Sequence, residues 1–110
     1  MNQATWSLVW SDEFNNPAGS PVNSANWTVD VGDGCSARIC GWGNNEKEYY
    51  TDEPENVSLN GSGQLVMVAR VASTDLSCYY GPCRYTSARI KTQAKIEQRY
   101  GRFEARIKLP

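Results

Sequence analysis

The segment "GRFEARIKL", residues 101 to 109, sets Phe103, Ala105, Ile107 and Leu109 in strict alternation with Arg102, Glu104, Arg106 and Lys108. Side chains of a β-strand project to opposite faces with a period of two, so such a segment has one apolar face and one charged face. Almost every informative stretch of the chain keeps this period, and none carries a sustained apolar i, i+3, i+4 stripe. The expectation is a nearly all-β protein. Strands are expected at Trp6 to Trp10, Trp27 to Val31, Glu48 to Thr51, Val57 to Leu59, Gln64 to Val71, Tyr85 to Thr92 and Gly101 to Leu109, with turn-rich segments such as "NNPAGSPVNSAN" and "NGSG" between them. In Gln64 to Val71 apolar side chains stand on both sides, Leu65, Met67, Ala69 and Val71 on one and Val66 and Val68 on the other, the pattern of a strand covered on both faces.

The 110 residues suit one domain and would bury roughly 65% of the unfolded surface. No apolar run approaches the roughly 20 residues of a membrane span. Asn2 and Gln3 follow Met1 without a basic or apolar leader pattern, so any export signal is expected to have been removed or replaced by a start codon. The net charge of −1 hides an asymmetry: ten acidic residues stand against three basic ones up to Cys83, and eight basic against two acidic from Arg84 onward. The basic segment suits either an anionic polymer or pairing with the acidic half across a sheet. Four cysteines form two Cys-x4-Cys pairs, Cys35/Cys40 and Cys78/Cys83, in polar or Gly-Pro loops. The spacing is allowed for zinc, but there is no histidine, and disulfides in an oxidising compartment are the favoured reading. Two local clips and cross-links between the two loops are both open. Asn26, Asn56 and Asn60 each begin a glycosylation sequon, which matters only in a host that glycosylates.

Without histidine the chain lacks the usual base of a nucleophilic triad and the usual metal ligand, and its glycines do not sit between a strand and a helix as in a phosphate loop. Carboxylates, aromatics, amides and arginines remain. Glu46 and Glu48, two apart, would share a strand face, where paired carboxylates can do acid/base work; solvated strands carry the same pattern. The stretch "CGWGNNEKEYYT" is more informative as a binding surface, because sugars lay C–H faces on aromatic rings and present hydroxyls to amides, carboxylates and guanidinium groups. Trp42, Asn44, Asn45, Glu46, Tyr49 and Tyr50 supply both kinds within nine residues. A rim loop whose aromatics merely cover one end of the sheets is the plainer alternative. Arg89 and Lys91, on one face of their strand, would add donors.

In order along the chain, "LVWSDEFN", "GWGNNEKEYYT", "NVSLNGSGQLVMVAR", "YTSARIKTQ" and "YGRFEARIKLP" resemble the N-terminal half of bacterial glycoside hydrolase family 16 enzymes, above all the laminarinases, which are endo-1,3-β-glucanases. The resemblance runs from Leu8 to Pro110, and the two cysteine loops look like insertions. It implies a concanavalin-like β-jelly-roll sandwich of two curved antiparallel sheets with a glucan cleft on the concave face, of which residues 1 to 110 would be about half. It also implies sugar contacts from Asn44 and Glu46, similarity of Arg89 to the family's cleft arginine, and places for Trp42 and Tyr50 at the rim. The substrate implied is β-1,3-linked or mixed β-1,3/1,4-linked glucan, and the setting is extracellular.

The family's retaining mechanism uses two glutamates in a Glu-x-Asp-x-x-Glu strand, and that motif is absent. No residue of this chain is therefore expected to be catalytic, no cofactor is expected for catalysis, and the chain alone is expected to be inactive. The resemblance further implies a structural calcium ion held by carbonyls at Glu13 and Gly63, with a third, carboxylate ligand missing here. The expected partners are a β-glucan polysaccharide and, along residues 102 to 109, the missing half or another copy of the chain; neither nucleic acid nor membrane is expected. Two readings compete with the enzyme: a non-catalytic β-glucan-binding module of the same fold, and a nucleic-acid-binding domain faintly suggested by "RYGRF", whose fold would need two helices.

Overall fold

The computed structural model describes residues 5 to 73 and 75 to 110. Among these residues nine short strands follow in order: β1 (Thr28–Val29), β2 (Glu48–Tyr50), β3 (Val57–Leu59), β4 (Leu65–Met67), β5 (Arg70–Val71), β6 (Ser77–Cys78), β7 (Gly81–Pro82), β8 (Tyr85–Ser87) and β9 (Ile90–Lys91). The described helical residues are confined to two 3-10 turns, Cys35–Ala37 and Cys40–Gly43. The all-β expectation holds.

The best-defined hairpin joins β3 to β4 in antiparallel register, Val57 opposite Met67 and Leu59 opposite Leu65. Its turn is set by Asn60, whose Oδ1 accepts from the Ser62 amide at 2.8 Å, while the Asn60 amide donates to the Gln64 carbonyl at 3.0 Å. An asparagine side chain that closes its own turn in this way fixes the hairpin register. Alternation then turns Val57 and Leu59 inward, where they join Val22 and Ala88 in the buried cluster, with Phe14, Trp27, Val29, Leu65 and Ile90 packed against it. A valine or leucine side chain contributes about 1.5–3 kcal/mol when fully buried.

Two expected strands are each divided because the chain changes partner midway. Gln64 to Val71 pairs with β3 through β4 and with β8 through β5. At the switch, Val68 donates its amide to the Asn56 carbonyl at 2.8 Å and accepts from Asn56 Nδ2 at 2.9 Å. Tyr85 to Thr92 likewise serves β2 and β5 through β8, then β1 through β9. The described residues thus form four small sheets, and the β2–β8 pair is parallel, a departure from the expected wholly antiparallel pairing.

Three further expectations are corrected. The Gln64–Val71 strand is not covered on both faces, since Val66, Met67 and Val71 are exposed. Neither Trp6–Trp10 nor Gly101–Leu109 forms a strand: both run exposed apart from the half-buried Trp10, with no ladder partner among the described residues. Alternation alone cannot make a strand without a neighbour to take its N–H and C=O groups. The radius of gyration is 16.7 Å, above the ~13 Å of a compact domain of this size.

Asn56 is fully buried. Its Oδ1 accepts from Thr51 Oγ1 at 2.5 Å, and its Nδ2 donates to the Val68 carbonyl at 2.9 Å and to Thr86 Oγ1 at 3.2 Å. Of the three sequons, that of Asn56 is thus closed to modification, Asn26 is half-buried against Asp12, and Asn60 is exposed. Replacing Asn56 by Ala leaves several buried groups without partners, and the expected cost is about 2–4 kcal/mol. The urea midpoint reads this directly; a loss below about 1 kcal/mol would mean that the network is dispensable.

Candidate functional site

Both disulfides are local clips, Cys35–Cys40 and Cys78–Cys83. The first closes a loop whose backbone is folded on itself: Gly41 donates its amide to the Asp33 carbonyl at 2.8 Å, and Ile39 donates to the Gly34 carbonyl at 2.9 Å. The chain then passes through left-handed conformations at Gly41 (φ 64), Trp42 (φ 55) and Gly43 (φ 71), with Asn45 (φ 55) following. Non-glycine residues adopt this region at a cost, and such strain gathers at ligand sites. Here it turns the Trp42 indole back toward the sheet, where Nε1 donates to the Gly32 carbonyl at 3.3 Å.

The sheet brings the other members in. Beyond the β1–β9 ladder, the Asp30 amide donates to the Arg89 carbonyl at 2.9 Å, so the two residues face one another across the end of a strand pair. An antiparallel bridge joins Gly32 to Tyr50, placing the end of β2 beside them. Asp30 is buried, and its carboxylate receives Arg89 Nε at 2.8 Å on one oxygen and Lys91 Nζ at 3.1 Å on the other. Arg89, which lies between β8 and β9, and Lys91 thus share Asp30 as their partner.

Held in this way, the Arg89 guanidinium carbon lies 4.2 Å from the Trp42 ring centroid and 5.0 Å from that of Tyr50. The two rings stand 6.0 Å apart at an interplanar angle of 50°. Arg89 Nη1 lies 3.6 Å from Glu46 Oε1, an oxygen that also accepts the Tyr50 hydroxyl. A planar cation against two aromatic faces gains cation–π attraction while keeping donors for other groups. Among the described residues Arg89 Nη2 has no protein partner, so it is a ready donor at a half-exposed surface.

Burial pushes the Asp30 carboxyl up, but the hydrogen bonds and charges of Arg89 and Lys91 outweigh it and hold the group below its ordinary value of 3.8. Burial likewise raises the Tyr50 phenol, with the Glu46 hydrogen bond and charge adding to it, to about 12.

Of the residues expected at a sugar surface, Trp42, Glu46, Tyr50 and Arg89 are brought together, whereas Asn44 is an exposed turn residue whose amide donates to the Gly41 carbonyl at 3.0 Å. Glu46 lies ahead of β2, so it does not form a same-face strand pair with Glu48. Asp30 was not anticipated. Its one sequence signal is a lone carboxylate closing the run "WTV", too common a pattern to single it out. Glu13 and Gly63 sit together elsewhere: a Cβ built on Gly63 would lie 3.7 Å from the Glu13 carbonyl oxygen and 3.3 Å from Asn15 Oδ1. Among the described residues no three His, Cys, Asp or Glu side chains gather as a metal cluster.

A β-glucanase of Rhodothermus marinus is 41% identical over 105 residues, which span 96% of this chain and 32% of that protein. The laminarinase catalytic domain of Thermotoga maritima superposes with a TM-score of 0.73 at 42% identity, covering 89% of this chain and 36% of that one. This chain is similar in sequence and fold to laminarinases and endo-β-1,3-glucanases, one of them a non-specific endo-β-1,3(4)-glucanase described as a member of family GH16. The clotting factor G alpha subunit of Tachypleus tridentatus is also similar, at 38% identity over 99% of this chain and 14% of that protein. No family model matches. The laminarinase-like chain thus spans about a third or less of these relatives.

Because the folded-state pKa of Asp30 is depressed, its pairing stabilises fully above the ordinary value of 3.8 and is lost as pH falls below it. Asp30→Asn is expected to cost about 1–3 kcal/mol at neutral pH, the solvent screening of Arg89 included. Urea melts across pH should show that gap closing in acid; a gap independent of pH would remove the charge from the account.

Proposed function

We propose that this chain forms one wall of the glucan cleft in a secreted, retaining endo-β-glucanase acting on β-1,3-linked or mixed-linkage glucan, with the catalytic glutamates supplied from outside these residues. The observation that carries the proposal is the Arg89 guanidinium braced by Trp42, Tyr50 and Asp30 beside Glu46. Such a surface offers an aromatic flank to a pyranose and charged donors and acceptors to its hydroxyls. The Glu46 carboxylate is committed to Tyr50 and Arg89, which suits binding and leaves it a poor candidate for proton transfer. The two disulfides support an oxidising, extracellular setting, and no described helix is long and apolar enough to cross a membrane.

The exposed apolar side chains of Phe103, Ile107 and Leu109 would be covered by the remaining part of the jelly roll or by another copy along residues 102 to 109. A structural calcium ion would use the backbone oxygens of Glu13 and Gly63, two residues that lie close together, with a carboxylate from elsewhere. It would brace the fold and take no part in the chemistry. Adding calcium to the chelator-treated intact protein is then expected to raise Tm by a few degrees, and an unchanged Tm would remove the ion from the proposal.

The enzyme reading is tested with the intact protein on laminarin. Release of reducing sugar is expected, with Arg89→Ala lowering kcat/KM about 10- to 100-fold through the lost charged hydrogen bonds. The same cluster, which offers binding groups and no catalytic pair of its own, also suits one alternative, a non-catalytic β-glucan-binding module. Laminarin binding without reducing sugar would select it, and absence of both would refute the glucan assignment.

A further inference from the structure

The loop that carries Trp42 and Glu46 is held from a second side by the Cys78–Cys83 hairpin. Strands β6 and β7 pair antiparallel, Cys78 opposite Gly81, and the disulfide closes the loop whose tip is Tyr79 and Tyr80. Both hydroxyls leave the hairpin for one neighbour. Tyr79 donates to the Glu46 carbonyl at 3.0 Å, and Tyr80 donates to the Lys47 carbonyl at 2.6 Å while accepting from the Arg84 amide at 3.0 Å. The rings meet edge to face with centroids 5.1 Å apart, and the Lys47 ammonium lies 5.1 Å from the Tyr79 centroid and 4.8 Å from that of Tyr80. Lys47 Nζ also donates to the Tyr79 hydroxyl at 3.3 Å.

These bonds add to those within the loop, where the Asn44 and Glu46 amides both donate to the Gly41 carbonyl. Residues 46 and 47 lie just ahead of β2, and the two tyrosine hydroxyls reach their carbonyls from outside the sheet. The approach is close: a Cβ on Gly41 would come within 2.9 Å of the Tyr79 hydroxyl oxygen, so only glycine leaves the tyrosine room there. Glu46 in turn touches Tyr50 and Arg89, so whatever fixes its backbone fixes the carboxylate at the guanidinium.

We infer that Tyr79 and Tyr80 are positioning residues for glucan recognition: their hydroxyls hold the Glu46–Lys47 backbone, and the Cys78–Cys83 clip holds the hydroxyls. The inference rests on the glucan reading above. Neither tyrosine needs to touch the sugar. Each acts through Glu46, and loss of the hydroxyls frees the loop while the β3–β4 hairpin and its buried Val57 and Leu59 stay in place.

The test compares the intact protein with Tyr79→Phe/Tyr80→Phe and with Cys78→Ser/Cys83→Ser, by amide hydrogen exchange and by laminarin titration calorimetry. In the tyrosine variant the Asn44 and Glu46 amides, both bonded to the Gly41 carbonyl, are expected to exchange about tenfold faster, and laminarin to bind about tenfold more weakly. The Leu59 amide, bonded to the Ser20 carbonyl, keeps its protection. The cysteine variant should show the same pattern, which guards against a fold defect special to one substitution. Unchanged exchange at Asn44 and Glu46 overturns the inference, as does faster exchange with unchanged affinity. If the unaltered protein does not bind laminarin at all, the glucan reading fails, and the exchange data alone decide whether the hairpin props the loop.

Discussion

The ion pair between Asp30 and Arg89 is the constraint on which the site depends. It joins residues far apart in the chain through one backbone and one side-chain hydrogen bond, and it does so at the end of a strand pair only two residues long on each side. A guanidinium with Nε committed to a buried carboxylate has a fixed plane, and that plane is what Trp42 and Tyr50 flank. Without Asp30 the arginine would keep its charge and lose its direction. Leaving either charge without its partner at a partly buried site is costly, so the pair tends to survive or fail as a unit.

The core alone could not hold such a site. The fully buried apolar cluster is small, and none of its members lies in the loop of residues 32 to 47. Order there comes from covalent clips, glycines in left-handed conformations and backbone carbonyls capped by side chains. This division of labour resembles that of many binding surfaces: sheets give a rigid frame, and loops pinned to it carry the recognition chemistry.

Much of the frame was legible in the sequence because period-two alternation reports which side chains share a face. Val57 and Leu59 were readable in this way, as was the turn at Asn60 and Gly61. Alternation does not report which segment becomes the neighbour, and this is why Trp6–Trp10 and Gly101–Leu109 read as strands yet form no ladder among the described residues. Partner switching at Val68 and between β8 and β9 was hidden for the same reason. At the site, residue types were visible, so Trp42, Glu46, Tyr50 and Arg89 stood out. Asp30, Tyr79 and Tyr80 did not, because their roles exist only through contacts with sequence separations of 59, 33 and 33 residues.

The most direct test of the central claim is the position of a bound β-1,3-linked gluco-oligosaccharide in a crystal structure of the intact protein. The account predicts a pyranose ring beside the Trp42–Arg89–Tyr50 cluster, with a hydroxyl within hydrogen-bond distance of the guanidinium. An oligosaccharide bound elsewhere, with Arg89 wholly covered by protein, would contradict it.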